Sequence, residues 1–556
     1  MTIATLQRPN GKRTIDLSDK DWWRGAVIYQ IYPRSFMDLS GDGVGDLAGI
    51  AARMNYIASL GVDAIWISPF FPSPMKDFGY DVSDYTNVDP MFGTLHDFDQ
   101  VIQEAHANGV RVMIDQVISH TSDQHAWFGE SASSRDNDKA DWYVWADAKP
   151  DGSPPNNWLS IFGGSAWQWH SGRCQYYLHN FLTSQPDLNF HNRDVQDALL
   201  DTVRFWLERG VDGFRLDTIN FYFHDKQLRD NPALSEADRN DSIAPKVNPY
   251  NYQNHIHDKN QPENLKFLER LRTVMDEYPA IAAVGEVGDA QYGLKLISDY
   301  TSGDERMQMC YSFDFLSPEL PTVERIANVL TKMQEAAPDG WLCWAFSNHD
   351  VMRHASRWGA SVADQTNYLK LLSALLFSLR GSVCIYQGEE LGLTEADIAF
   401  EDLQDPYGKQ FWPEFKGRDG CRTPMVWDER EQNCGFSNAE TWLPIPPEHR
   451  ALAVSEQDHL PASLLNHYRQ MLTFRAENLP LSKGDLEIVI ATGPVLAFTR
   501  RHENQRIFCA FNMSEDEQTI DAPERLGEVL EGHGFACRMD EETITLEAWN
   551  AFYART

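Results

Sequence analysis

Charged and polar residues recur at the ends of short apolar runs in this chain. In Gly213-Phe-Arg-Leu-Asp217, period-two spacing places Arg215 and Asp217 on the same face of a strand. A cation beside a carboxylate lowers its pKa and keeps it ionised, as a nucleophile or an anionic stabiliser requires. Taken alone, the pair also reads as a structural ion pair. Glu286 ends Val284-Gly-Glu-Val287 among apolar neighbours, where a carboxylic acid tends to stay protonated and can donate a proton. One carboxylate held charged and another kept neutral, on adjacent strand ends, is the pairing that cleaves glycosidic bonds. His120 closes Asp115-Gln-Val-Ile-Ser-His120, and His349 and Asp350 close Phe346-Ser-Asn-His-Asp350. A single histidine is usually a packing group. The same kind of tail on several apolar runs is a pattern.

A second constellation suits a hard cation. Asp38, Ser40, Asp42, Val44 (through its carbonyl) and Asp46 fall at positions 1, 3, 5, 7 and 9 of an EF-hand-like loop. The twelfth position is Gly49 rather than the bidentate Glu, and no flanking helix pair is evident. This leaves a short oxygen-rich loop for a structural Ca²⁺ or Mg²⁺, or a Gly/Asp turn without metal. Its glycines are spaced G-x-G-x-G, which is not a dinucleotide fingerprint, and no organic cofactor is expected.

The elements that must carry these groups follow from periodicity. Runs at 26–33, 63–70, 111–120, 212–220, 282–287, 310–315, 342–350 and 382–390 resemble strands buried on both faces. Helix-like stretches lie between them, such as 97–108 and 195–209. Strand, polar tail and helix, repeated eight times, predict an α/β fold: a (β/α)8 TIM barrel whose active site lies at the carboxyl ends of its strands. Residues 120–190 form a long loop-rich insertion after strand 3, with Trp142, Trp145, Trp158, Trp167 and Trp169. Aromatic faces suit sugar C–H surfaces, so this insertion is expected to shape sugar subsites. Residues 221–263 make a second excursion, and period-two alternation beyond 480 predicts a C-terminal antiparallel β-sandwich. The predicted organisation is a barrel in two parts, 1–119 and 191–480, an inserted subdomain, 120–190, and a terminal domain, 481–556.

Composition narrows the partners. The 556 residues include 82 Asp plus Glu against 48 Lys plus Arg, a formal charge of −34. Such a chain repels polyanions, so nucleic acid and anionic membranes are poor partners, whereas a neutral substrate carries no penalty. A hydrophobic fraction of 42% excludes a disordered chain. No apolar run reaches the ~18 residues of a spanning helix, and the N-terminal sequence lacks a signal-peptide core. Eight scattered cysteines without a Cys-x-x-Cys pair read as free thiols. The expectation is a cytoplasmic protein, monomeric or weakly homo-oligomeric, with a small-molecule substrate.

Taken in order, DQVISH, GFRLD, the Glu of VGEV and SNHD resemble the four sequence regions of the α-amylase family, glycoside hydrolase family 13. Ile31–Phe36, Ser68–Phe71, Asp77–Asp81, Gln185–Asn189, Gln387–Glu390 and Arg422–Met425 resemble its α-glucosidase and oligo-1,6-glucosidase branch. The resemblance implies that Asp217 is the nucleophile, Glu286 the general acid/base, and Asp350 the third carboxylate, which binds sugar hydroxyls. It implies that Arg215, His120 and His349 line the subsite for the non-reducing glucose. It further implies that Asp77, Tyr80 and either Arg418 or Arg422 close that pocket, so that only a chain end enters. Asp38–Asp46 is similar to the structural metal loop of the branch. Thr218, after the nucleophile, stands where α-1,6-cleaving relatives carry Val, which favours maltose and short α-1,4 glucosides. Phe313–Pro321 has none of the arginines of the sucrose isomerases. Sucrose or isomaltose as the preferred substrate remains the alternative, and transglucosylation is implied as a side activity. A non-catalytic relative would have lost Asp217, Glu286 or Asp350; all three are present.

Overall fold

A computed structural model describes residues 14–556 apart from 524, 525, 537 and 541. Its centre is a ring of eight short parallel strands: β1 Val27–Ile31, β2 Ala64–Ile67, β3 Arg111–Gln116, β4 Gly213–Leu216, β5 Ala282–Glu286, β6 Met309–Tyr311, β7 Cys343–Trp344 and β8 Ser382–Tyr386. They pair in sequence order, β8 returns to β1, and a parallel bridge between Cys310 and Leu342 joins β6 to β7. The predicted TIM barrel is therefore present. Its interior is packed by alternate residues of each strand, among them Ile28, Trp66, Met113, Val284 and Met309. Gly213 is required by crowding, since a Cβ there would lie 2.2 Å from the Ala282 carbonyl oxygen on the neighbouring strand.

The register decides which polar residues meet. Asp115 of β3 lies opposite Arg215 of β4, Arg215 opposite Val284 of β5, and Glu286 opposite Tyr311 of β6. Between the strands, helices close the outer layer with capped ends. In Leu95–Ala107, Thr94 and Asp97 form a reciprocal capping box; Arg193–Glu208 starts at Asn192, whose side chain accepts from the Asp194 amide.

The insertion after β3 holds a small antiparallel sheet, with Trp145–Ala146 and Trp167–His170 flanking Gln175–Leu178. Trp158 and Trp167 stack in its own apolar cluster, and Trp169 is exposed. C-terminal to the barrel, strands 485–492, 495–502, 505–512 and 551–555 form one antiparallel sheet, and 518–521, 543–546 and 538–539 form another. Their facing side chains, including Val495, Phe508, Ile544 and Phe552, share a core. The run 543–555 reads in sequence as one alternating stretch, yet it breaks at Trp549 (φ 51°) and divides between the two sheets. Cys174 is an exposed free thiol and six other cysteines are buried free thiols; Cys537 lies outside the described residues. No described helix is long and apolar enough to cross a membrane.

Candidate active site

A cavity of about 810 Å³ opens at the carboxyl ends of the barrel strands. Asp77, Tyr80, His120, Asp217, Glu286, Asp350 and Arg418 line it, as do Phe162 and Phe181 from the insertion and Asp241–Lys246 from the second excursion. None of the five insertion tryptophans does so. Trp158 and Trp167 are buried, Trp142 and Trp145 half-buried and Trp169 exposed, and the insertion offers phenylalanines to the cavity instead.

At the floor, Arg215 is fully buried and holds three acids at once. Nη1 donates to Asp115 Oδ1 (2.9 Å) and Asp217 Oδ1 (2.6 Å), and Nη2 donates to Glu286 Oε2 (2.6 Å) and Tyr311 Oη (2.7 Å). The Trp66 ring lies 4.9 Å beneath the guanidinium. Arg215 thus lies behind the lining residues and ties the two candidate catalytic carboxyls to one rigid fork. Thr218 ties them a second time, since its N–H donates to Glu286 Oε2 and its hydroxyl to Asp217 Oδ2, each at 3.2 Å.

The electrostatics follow from burial and charge together. Burial pushes Glu286 up to about 7, and the repulsion of Asp217 and Asp350 adds to this while Arg215 opposes it. Asp217 is raised as well, because desolvation outweighs the attraction of Arg215. This reverses the sequence expectation, which counted the neighbouring cation but not the loss of water around a fully enclosed carboxyl. Asp350 is the opposite case. Burial would raise it, but the Arg418 and Arg422 guanidiniums hold it far below the usual carboxylate range. His120 and His349 are kept neutral by burial, which takes them to about 4 and about 3.

One side of the pocket is closed by a charged chain. Arg418 Nη2 donates to Asp77 Oδ1 at 2.8 Å and its Nη1 to Asp350 Oδ1 at 3.2 Å. Asp405 anchors it from behind through Nε and Nη2, at 3.0 and 2.8 Å. Arg422 also reaches Asp350 Oδ1 (2.9 Å), but its Nε donates to the His349 carbonyl and the side chain is buried under Tyr32 and Phe78. Of the two arginines left open by the sequence, Arg418 faces the cavity. His349 likewise lies behind the lining: its ring stacks at 5° on Tyr80, with Nδ1 on Gln30 (2.7 Å) and Nε2 on Tyr80 Oη (2.6 Å).

Sequence reasoning missed three partners. Asp115 could have been found, since period two aims it inward with Met113. Asp405 was hidden because Asp-Pro reads as a helix N-cap, and it does accept from the Tyr407 amide. Gln185, which donates to Asp77 Oδ2 at 3.1 Å, meets the site only through the fold of the insertion.

The loop at Asp38–Asp46 is closed on itself. Asp38 accepts from Ser40 Oγ, Ser437 Oγ and the amides of Gly41 and Gly43; Asp46 accepts from the amides of Leu39, Ser40 and Gly49; and Asp42 accepts from the Val44 amide. Among the described residues no three His, Cys, Asp or Glu side chains gather into a group that could hold a metal ion. Asp38, Ser40, Asp42 and Asp46 thus all take part in the loop's own turn hydrogen bonds.

The α-amylase catalytic-domain family matches residues 30–484. The chain belongs to the α-amylase family. Within it, the chain is 65% identical to a probable α-glucosidase of Rhizobium meliloti, over 97% of both chains. It is 35% identical to an oligo-1,6-glucosidase of Heyndrickxia coagulans, over 92% of this chain and 96% of that one. The fold superposes on the crystal structure of an α-glucosyl transfer enzyme, XgtA, with a TM-score of 0.93 and 53% identity, over 96% of this chain and 99% of that one. The family member described here is a glycoside hydrolase of the α-glucosidase branch.

Proposed function

We propose that the chain is a retaining, exo-acting α-glucosidase. It releases glucose from the non-reducing ends of maltose and short α-1,4 glucosides, and can pass the glucosyl unit to another hydroxyl. The observation that carries this reading is the pair of acids on one guanidinium, Asp217 and Glu286 each 2.6 Å from Arg215. That bridge favours the close carboxyl spacing of retaining enzymes, ~5–5.5 Å, over the ~6.5–9.5 Å that leaves room for a water in inverting ones.

In this mechanism Glu286, protonated near neutral pH, gives its proton to the glycosidic oxygen while Asp217 forms a bond to the anomeric carbon. Arg215 offsets the charge on Asp217 and keeps both acids in place. A water molecule, or an acceptor hydroxyl, then gives its proton to Glu286 and displaces Asp217, which restores the original configuration. Asp350, held ionised, accepts hydrogen bonds from sugar hydroxyls, and the Asp77–Arg418 pair blocks a longer chain from passing beyond the first glucose. The names of the relatives support α-glucoside cleavage in general, and Thr218 supports the α-1,4 preference.

The test is to incubate the enzyme with maltose, isomaltose and sucrose and follow the products by NMR. On p-nitrophenyl α-glucoside, whose only glucose is the cleaved unit, α-glucose should appear first, and among the three sugars cleavage should be fastest for maltose. Initial release of β-glucose from the nitrophenyl glucoside would overturn retention, and faster cleavage of isomaltose or sucrose would replace the linkage assignment.

A further inference from the structure

Thr218 has an unusual, strained backbone for a β-branched residue, φ 39° and ψ 53° in the left-handed region. In that conformation its N–H donates to Glu286 and its hydroxyl to Asp217 Oδ2, both at 3.2 Å. A second oxygen is also within reach of the hydroxyl. Ser119 Oγ lies 3.4 Å from Thr218 Oγ1 and 2.9 Å from His120 Nδ1.

Protons along this chain can be counted. His120 Nε2 is 2.9 Å from the carbonyl of Tyr80, which can only accept; the Gln185 amide nitrogen, 3.2 Å from Nε2, has Asp77 Oδ2 and the same carbonyl for its hydrogens, so Nε2 carries the ring's proton. Burial keeps the ring neutral, leaving Nδ1 as an acceptor for the Ser119 hydroxyl. Ser119 therefore spends its own proton on His120 and presents a lone pair to Thr218. The Thr218 proton has two acceptors and can serve one at a time.

We propose that the Thr218 hydroxyl is a rotor that follows the charge on Asp217, with Ser119 as its resting acceptor. The proposal rests on the assignment of Asp217 as nucleophile. In the free enzyme the rotor donates to the Asp217 carboxylate. When Asp217 bonds to the anomeric carbon and the glycosidic oxygen leaves with the Glu286 proton, the carboxylate becomes a neutral ester and a poor acceptor. The hydroxyl then turns to Ser119. When water or an acceptor hydroxyl gives its proton to Glu286 and the ester bond breaks, Oδ2 regains charge and the hydroxyl returns to it. The rotor thus favours the free carboxylate over the ester and speeds release of the glucosyl unit. Thr218 acts on a reacting oxygen; Ser119 and His120 are positioning residues.

Two variants should shift opposite steps. With Thr218→Val the ester loses its leaving-group stabilisation. On p-nitrophenyl α-glucoside, whose nitrophenolate leaves readily, release of the sugar should become limiting and kcat should fall about three- to tenfold, the worth of one intramolecular hydrogen bond. A pre-steady-state burst of nitrophenol should appear, with kcat/KM nearly unchanged. With Ser119→Ala the hydroxyl has no resting acceptor and stays on Asp217, so kcat/KM should fall by a similar factor without a burst. Thr218→Ser should restore wild-type behaviour, which separates the hydroxyl from the change of side-chain shape. Parallel losses of kcat and kcat/KM in both single variants, or no rescue by Thr218→Ser, would overturn the rotor. Mass spectrometry of the intermediate trapped with a fluorinated glucosyl fluoride tests the underlying assignment separately. A label on any residue other than Asp217 removes the basis of the proposal, whereas a label on Asp217 together with parallel losses removes the rotor alone.

Discussion

Arg418 reaches across the pocket to Asp77, Nη2 to Oδ1 at 2.8 Å, and joins residues 341 positions apart in the chain. The contact closes one side of the cavity with two charges, each already backed by another partner: Arg418 by Asp405, and Asp77 by Gln185. A wall built this way is rigid and polar, suited to the hydroxyls of a terminal sugar and not to a continuing chain.

Replacing Arg418 by Lys keeps the charge but loses the planar fork that spans Asp77, Asp405 and Asp350. The expected result is a drop of about tenfold or more in kcat/KM for maltose, from the loss of at least one charge-assisted hydrogen bond. Maltotriose blocked at its non-reducing end should resist the wild-type enzyme. Steady release of internal fragments from that blocked substrate would contradict exo action.

In the proposed mechanism Glu286 is the general acid, so activity on maltose should fall as pH rises through about 7, where its proton is lost. The acid limb should come from protonation of Asp217, whose pKa burial also raises. Glu286→Gln should lower kcat on maltose by about 10²–10⁴-fold with an unchanged circular-dichroism spectrum. α-Glucosyl fluoride needs no proton for departure of its leaving group, so its first step should lose the alkaline limb. An unaltered pH profile with that substrate would argue against the assignment.

Glu389, behind β8, is buried with the Tyr468 hydroxyl at 3.1 Å, and burial raises it from an ordinary 4.5 to about 8. A carboxyl whose folded pKa lies above its unfolded one contributes stability that is fully present below about 4.5 and lost as pH rises through about 8. Thermal denaturation between pH 5 and 9 should therefore show Tm falling with pH. Glu389→Gln, which cannot ionise, should flatten that slope; an equal slope in the variant would place the dependence elsewhere.

The loop 38–46 has its acidic oxygens occupied by its own amides and by Ser40 and Ser437. Chelation with EDTA is expected to leave Tm and maltose hydrolysis unchanged. A Tm that falls on chelation and returns with Ca²⁺ or Mg²⁺ would place a cation among Asp38, Ser40, Asp42, Val44 and Asp46.

Much of this was legible in the chain itself. Burial on both faces produces continuous apolar runs, so the eight barrel strands stand out, and a strand's period of two puts Arg215 and Asp217 together before any fold is known. Residue types also narrow the chemistry, because a paired carboxylate and carboxylic acid serve few reactions. Other features depend on distances between segments that sequence spacing does not encode. Arg418 rather than Arg422 faces the cavity because Asp405 and Asp77 draw it there, whereas Arg422 is held by the His349 carbonyl. Of the insertion's five tryptophans, Trp158 and Trp167 stack on each other and none lines the cavity. Asp217 rises in pKa despite Arg215, because desolvation depends on how completely the barrel encloses it. Local pattern therefore determined the elements and the candidate reacting groups. The tertiary structure alone decided which charges are buried, which are paired across the pocket, and so which are free to meet substrate.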